Sequence, residues 1–236
     1  DELPAIRAVL HVLYLIFNEG YVTSGGPELH RVELSDEALR LCEMVLTERP
    51  EDPEVAGLFA LMLLIDARRP ARVDPGGDLV PLAEQDRSLW DRRRIAKGTA
   101  MLDQAIGRGR VGEYQVQAAI AAIHDRAPHA VETDWRQILA LYGLLERMTD
   151  NPIVTLNRAV AAGMVDGPQG GLAILDGMDG VVVGSHRYRA VRGHLLEMAG
   201  DTNGAIEQYR AAARLATNLA EQRHLSTKAA RLLARS

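Results

Sequence analysis

The sequence is poor in cysteine and in aromatic residues, and it contains no long hydrophobic run. Its 236 residues include one cysteine, Cys42, and only 4% are Phe, Trp or Tyr. A single cysteine excludes an internal disulfide and is typical of the reducing cytoplasm, where we expect this protein. No apolar run approaches the roughly 20 residues that a transmembrane helix needs, so we expect no membrane contact.

The balance of charge argues against a nucleic-acid-binding surface. Lys and Arg number 27 against 32 Asp and Glu, which gives a net charge of -5. Proteins that grip phosphates usually concentrate positive charge on one face. We therefore expect no direct contact between this chain and nucleic acid.

Motifs for catalysis and metal binding are also missing. The seven histidines form no H-x-x-x-H or H-E-x-x-H pattern, and no G-x-S-x-G sequence is present. The glycine pairs at residues 25–26 and 76–77 are expected turns without the strand-to-helix context of a phosphate-binding loop, and the pair at residues 170–171 is expected to pack between repeat helices. Cys42 falls at a position expected to be buried, which favours a core residue over a nucleophile. We therefore predict a protein that is not an enzyme, with no catalytic residues, no metal and no cofactor.

Alanine and leucine dominate the sequence, and small residues recur with the spacing of helical hairpins. Gly193, Ala205, Tyr209 and Ala212 match the small-small-aromatic-small positions of a tetratricopeptide repeat. The same positions 34 residues earlier are Ala159, Gly171, Leu175 and Met178. Near the N-terminus, Ala38, Cys42, Val45 and Pro50 fit the second helix of such a repeat, and Ala60 fits the first helix of the next. Small residues at these positions let antiparallel helices approach closely.

This pattern predicts an all-α fold, a tetratricopeptide-like solenoid of helical hairpins with long connections. One connection, residues 71–82, resembles a short β-hairpin around Pro75, Gly76 and Gly77. We expect residues 1–236 to form a single helical repeat domain, which could be subdivided into residues 1–110 and 111–236.

The first helix is the most apolar element and is expected to organise the fold. Residues 12–21 are apolar nearly all round the helix, which predicts burial on every side. We expect the helix to end at Asn18, Glu19 and Gly20, with Gly20 in a left-handed conformation and a polar loop over residues 23–27. Asn18 and Glu19 would then be polar groups at the end of a buried helix and would need partners.

Three later helix starts are predicted from capping residues. Ser35, followed by acidic residues, is the expected N-cap of the second helix, and Asp52 before Pro53 that of the third. Thr133 is the expected cap of the helix that contains Trp135.

Polar residues on otherwise apolar elements are the candidate binding residues. They are Asn18, Glu19, Tyr21, Asp66, Arg68, Arg69, Gln85, Asp86, Trp90, Gln117, His124, Asn157 and Arg158. One interpretation is that they anchor long connections to the helices through buried hydrogen bonds. The other is that they line a pocket for a ligand or a partner segment. We favour the first interpretation, and the sequence leaves both open.

Five segments resemble a known bacterial family. They are residues 14–21 (YLIFNEGY), 58–72 (LFALMLLIDARRPAR), 82–91 (LAEQDRSLWD), 114–124 (YQVQAAIAAIH) and 156–160 (LNRAV). In this order they resemble the C-terminal tetratricopeptide-like extension of extracytoplasmic-function (ECF) sigma factors, and the resemblance covers essentially the whole chain.

The resemblance implies a regulatory or protein-interaction module of a sigma factor that directs RNA polymerase to specific promoters. The expected partners are the upstream sigma regions of the same chain, core RNA polymerase through the parent protein, and a regulatory protein. The chain begins without methionine inside an apparent helix, so we expect the promoter-recognition regions to lie upstream of residue 1. A small-molecule-sensing domain, with a pocket among Asn18, Glu19, Gln117 and His124, is the alternative expectation.

Overall fold

A computed structural model of the chain describes residues 2–22 and 29–235, and over these residues it is all-helical. The predicted all-α fold is therefore confirmed. The predicted loop over residues 23–27 lies outside the described residues. No helix in the described part of the chain has both the length and the apolar character needed to cross a lipid bilayer. The α-helices are α1 (Glu2–Val22), α2 (Leu29–Glu48), α3 (Pro53–Asp66), α4 (Arg92–Gly107), α5 (Glu113–Arg126), α6 (Trp135–Glu146), α7 (Pro152–Asp166), α8 (Pro168–Asp176), α9 (His186–Met198), α10 (Thr202–Leu215) and α11 (Leu219–Leu233).

The chain divides into two compact units, residues 1–133 and residues 134–236. Helix α5 belongs to the first unit because it packs against α3, whereas the suggested subdivision at residues 110 and 111 placed it in the second.

Helix α3 is the centre of the first unit. It packs against α1, α2, α4 and α5, and nearly all of its side chains are buried. Burial of each large apolar side chain, such as Leu58, Met62 and Leu64, contributes roughly 1.5–3 kcal/mol. Gly57 lets α5 approach, since a Cβ at Gly57 would lie 2.7 Å from Cγ of Gln115.

The structure corrects the prediction for α1. Leu10, Leu13 and Phe17 are buried, but Val12 and Leu15 are each 53% exposed, so the helix is buried on one side only. It continues through Gly20 to Val22 and does not end at Asn18. Its outer apolar residues face away from α2 and α3, and the sequence pattern alone could not reveal that.

Two of the three predicted N-caps are wrong. Asp52 caps α3 as expected and accepts hydrogen bonds from the backbone N–H groups of residues 54 and 55. Ser35 lies inside α2, which begins at Leu29, and it is buried. Asp134, rather than Thr133, caps α6. In both wrong cases a neighbouring or earlier residue starts the helix.

The connection from α3 to α4 is closed at its base. The backbone N–H of Asp91 donates to the carbonyl oxygen of Ala67 at 2.9 Å. The predicted β-hairpin is reduced to a single antiparallel bridge between Val73 and Leu79, with no strand over the described residues. Asp74 holds the turn by accepting hydrogen bonds from the N–H groups of Gly76 and Asp78. The connection is thus a loop with fixed ends and an exposed tip.

In the second unit, consecutive helices pack as hairpins at the predicted small residues. A Cβ at Gly171 of α8 would lie 2.5 Å from the carbonyl oxygen of Ala159 in α7. A Cβ at Gly193 of α9 would lie 2.9 Å from the ring of Tyr209 in α10. These contacts leave little room for a side chain at Gly171 and Gly193.

Candidate functional site

Polar residues from three segments of the first unit meet around Trp90. Trp90 is buried, and the guanidinium carbons of Arg68 and Arg87 lie 5.4 and 4.5 Å from its ring centroid. Both distances fall in the range of cation–π interactions. We call Arg68, Arg87, Trp90 and Asp125 the arginine–tryptophan cluster.

Arg68 and Asp125 form a buried ion pair in this cluster. Nε of Arg68 donates to Oδ1 of Asp125 at 2.6 Å, and Nη2 donates to the carbonyl oxygen of Ala121 at 2.7 Å. The two residues are 8% and 2% exposed. Burial raises the pKa of Asp125 above its usual value, and Arg68 counters part of that rise. The pair therefore links the end of α3 directly to the end of α5.

Arg87 satisfies the C-terminal end of α5. Its Nη1 donates to the carbonyl oxygens of His124 and Ala127 at 2.6 and 2.7 Å. The last carbonyl groups of a helix have no partner within the helix, and a cation there also complements the helix dipole. Burial, followed by the nearby positive charges of Arg68 and Arg87, lowers the pKa of His124 to about 4. His124 is accordingly neutral near neutral pH.

Asp66, the last residue of α3, is the centre of a second group of polar residues. It is 3% exposed and forms ion pairs with Arg69 and Arg94. Arg69 also donates to Oγ of Ser35 at 2.8 Å and to Asp36 at 3.0 Å. These contacts connect α2, α3 and α4.

Gln85 and Asp86 stabilise the connection before α4. The indole N–H of Trp90 donates to Oε1 of Gln85 at 3.2 Å, and Nε2 of Gln85 donates to the carbonyl oxygen of Val80 at 3.1 Å. Asp86 is exposed and accepts hydrogen bonds from the backbone and the hydroxyl of Ser88. Gln85 thus belongs with the cluster, while Asp86 caps a short turn.

The candidates on α1 are placed differently from the prediction. Asn18 is half-buried and Glu19 is exposed, so neither is the deeply buried polar group that was expected. Tyr21 stacks on Phe17, and the guanidinium carbon of Arg72 lies 4.0 Å from its ring centroid.

Gln117 bonds to α1 from its position on α5. The hydroxyl of Tyr14 donates to Oε1 of Gln117 at 3.2 Å, and Tyr14 also packs edge-to-face on Tyr114. His124 lies seven residues further along α5, which is roughly 10 Å of helix.

Asn157 and Arg158 belong to the second unit, whereas the arginine–tryptophan cluster belongs to the first. Asn157 is exposed. Nε of Arg158 lies 2.9 Å from Oε2 of Glu146, so Arg158 connects α7 to α6.

Sequence reasoning missed Asp125, Arg87 and a further contact between Glu54 and Gln115. The Glu54 carboxylate accepts hydrogen bonds from the backbone N–H groups of Tyr114 and Gln115 and from the side chain of Gln115. Glu54 lies in α3 and thereby caps the start of α5. Burial raises the pKa of Glu54 above its usual value, and these hydrogen bonds counter part of that rise. Asp125 lies 57 positions from Arg68, Glu54 lies 60 and 61 positions from Tyr114 and Gln115, and Arg87 lies 37 and 40 positions from its acceptors. No local signal indicates contacts at such separations, although Arg87 and Gln115 fell within segments already singled out.

The chemistry available to the arginine–tryptophan cluster is that of structural support. Its arginines donate to a carboxylate and to main-chain carbonyl groups, and its indole donates to Gln85. Cys42 is buried, and burial raises the pKa of its thiol to about 12, which favours the protonated thiol over the thiolate near neutral pH. Within residues 2–22 and 29–235, no three or more His, Cys, Asp or Glu side chains are grouped to hold a metal ion.

The chain is similar to a protein family and to a bacterial protein. Residues 5–106, which include most of α1 to α4, match a family of unknown function (DUF6596). An uncharacterised protein of Rhizobium meliloti (strain 1021) is 43% identical over 225 residues, or 95% of this chain and 53% of that protein. The chain therefore spans about half the length of the curated relative that it matches. No solved structure matches the chain.

Proposed function

We propose that this chain is the C-terminal regulatory module of an ECF sigma factor. The full-length protein would direct RNA polymerase to specific promoters. The module would act in the cytoplasm by docking to the upstream sigma regions or to a regulatory protein. It would neither catalyse a reaction nor contact DNA, in keeping with its net charge of -5.

One observation carries the proposal. Three of the five segments that resemble the sigma-factor extension, residues 58–72, 82–91 and 114–124, meet in the first unit, where Asp125 directly follows the third. Arg68, Trp90 and His124 come from one segment each, and the contacts around Trp90 connect them. Because these polar groups bond to one another, the three segments form a connected support within the first unit. Such a support is suited to positioning other regions of a protein.

Transcription in vitro tests the proposal. Promoter-specific initiation by the full-length protein would be compared with that of a version cut immediately before residue 1. We expect the truncation to change either the amount of initiation or its response to the regulating partner. Equal initiation and equal regulation in the two proteins would refute a regulatory role.

A point variant tests whether regulation depends on the arginine–tryptophan cluster as well as on the presence of the chain. Arg68→Ala removes the buried partner of Asp125, and Arg126→Ala removes an exposed charge of the same sign one position from Asp125. We expect Arg68→Ala to reproduce at least part of the truncation phenotype and Arg126→Ala to behave as the unaltered protein. The opposite order would count against the role given to the cluster.

A further inference from the structure

The second unit contains a pocket that is separate from every candidate residue discussed above. It has a volume of about 210 Å³ and is lined by α9, α10 and α11. The residues from α9 and from α11 that line it recur at helical spacing, so each helix turns one face toward the pocket. Ala190 and Leu225 supply apolar lining, and Tyr209 supplies an aromatic ring.

Two basic side chains, Arg187 and Lys228, line this pocket. Arg187, at the start of α9, is exposed and makes no ion pair among the residues that the structure describes. Nζ of Lys228 lies 3.3 Å from the hydroxyl of Tyr209 and 3.6 Å from Oε2 of Glu197. Tyr209 in turn donates to Glu197 at 2.6 Å, so the position of Lys228 is fixed by two neighbours.

Three histidines and one carboxylate complete the polar lining. Nε2 of His186 lies 3.4 Å from Oε2 of Glu221. His194 and His224 face the pocket from α9 and α11. Burial, followed by the charge of Lys228, lowers the pKa of His194, which is therefore neutral near neutral pH. In the described part of the chain these side chains do not form a metal-binding group.

We propose that this pocket binds a small organic oxyanion, a carboxylate or a phosphate monoester, through Arg187 and Lys228. The apolar part of the ligand would contact Ala190 and Leu225. A volume of about 210 Å³ equals that of about seven water molecules and is below the range of drug-sized pockets. The ligand is accordingly a single ring or a short chain with one anionic group. This proposal is independent of the sigma-factor proposal and places small-molecule binding away from Asn18 and Gln117.

Calorimetric titration of the whole chain tests the site, with benzoate and phenyl phosphate as probes at constant ionic strength. Each of the two side chains would contribute a hydrogen bond between charged groups to the affinity. Arg187→Ala and Lys228→Met should therefore each raise the dissociation constant roughly tenfold or more. Glu221→Gln removes a negative charge from the pocket and should tighten binding. Arg223→Ala removes an exposed positive charge from α11 outside the pocket and should leave the affinity unchanged.

The outcomes separate the ligand classes and can overturn the site. Binding of benzoate alone identifies a carboxylate, binding of phenyl phosphate alone identifies a phosphate, and binding of both identifies oxyanions generally. The proposal is overturned if neither probe binds at millimolar concentration, or if Arg223→Ala weakens binding as much as Arg187→Ala. Arg187 is exposed, so its variant remains a valid test even if Lys228→Met fails to fold.

Discussion

Removing Arg68 should destabilise the first unit mainly because the buried carboxylate of Asp125 would lose its positively charged partner. Arg68 is 8% exposed and donates to Asp125, which is 2% exposed. Loss of one partner of a buried ion pair typically costs about 3–5 kcal/mol, because the remaining charge has no compensation. We therefore expect Arg68→Ala to lower the free energy of unfolding by about 4 kcal/mol near pH 7.

The pH dependence of the stability of Arg68→Ala distinguishes two causes of destabilisation, an unpaired buried charge on Asp125 and the loss of packing around residue 68. Burial already raises the pKa of Asp125 in the folded state, and Arg68 holds it down. Removing Arg68 raises this pKa further. A carboxyl group with a raised pKa in the folded state destabilises the fold at high pH, and that destabilisation disappears as the pH falls through the folded pKa. The loss in free energy of unfolding caused by Arg68→Ala should therefore be smaller at about pH 5 than at about pH 7.

Urea unfolding followed by the fluorescence of Trp90 is the assay. Because the second tryptophan, Trp135, lies in the other unit, a Trp135→Phe background isolates the signal of the first unit. Adding Asp125→Asn to Arg68→Ala removes the charge and should restore part of the lost stability. Arg126→Ala is the matched control and should change stability by less than about 0.5 kcal/mol. An equal loss in Arg68→Ala and Arg126→Ala, or no recovery with Asp125→Asn, would refute the reasoning.

Three further predictions concern single positions. Gly171→Ala should destabilise the second unit by about 1–3 kcal/mol in thermal unfolding, because its Cβ would lie 2.5 Å from the carbonyl oxygen of Ala159; Gly170→Ala, whose nearest contact is 3.1 Å, should cost less. Asp52→Ala should cost about 1 kcal/mol in urea unfolding through loss of the cap of α3, and an unchanged midpoint would show that the cap is dispensable. Burial raises the pKa of Cys42 to about 12, so iodoacetamide should label it only in denaturant; rapid labelling of the native protein would contradict that burial.

The sequence predicted features that depend on neighbouring residues. The cap at Asp52 and the turn around Gly76 and Gly77 were correct because their partners are at most four positions away. The close approach of two helices at Gly193 was also predicted correctly, since the repeat spacing itself indicates a hairpin.

The remaining features depend on tertiary contacts that the sequence does not indicate. Ser35 was predicted as a cap, but it lies inside α2, where Arg69 from the connection after α3 donates a hydrogen bond to its hydroxyl. Asp125 lies in the last turn of α5, where acidic residues are often exposed, and its buried partner, Arg68, is 57 positions away. The apolar outer residues of α1, Val12 and Leu15, were predicted to be covered, yet the neighbouring helices pack on the other side.

The closed base of the loop between α3 and α4 makes this loop a natural insertion point. The hydrogen bond from Asp91 to Ala67 holds the two ends together, so the distance between the helices does not depend on what lies between them. Residues 74–78 at the tip are all exposed, and lengthening a loop whose ends are already fixed costs little additional entropy. A peptide tag or a reporter domain inserted between Gly76 and Gly77 should therefore leave the packing of α3 on α4 and α5 intact. The first unit thus offers a position for labelling that avoids both chain ends.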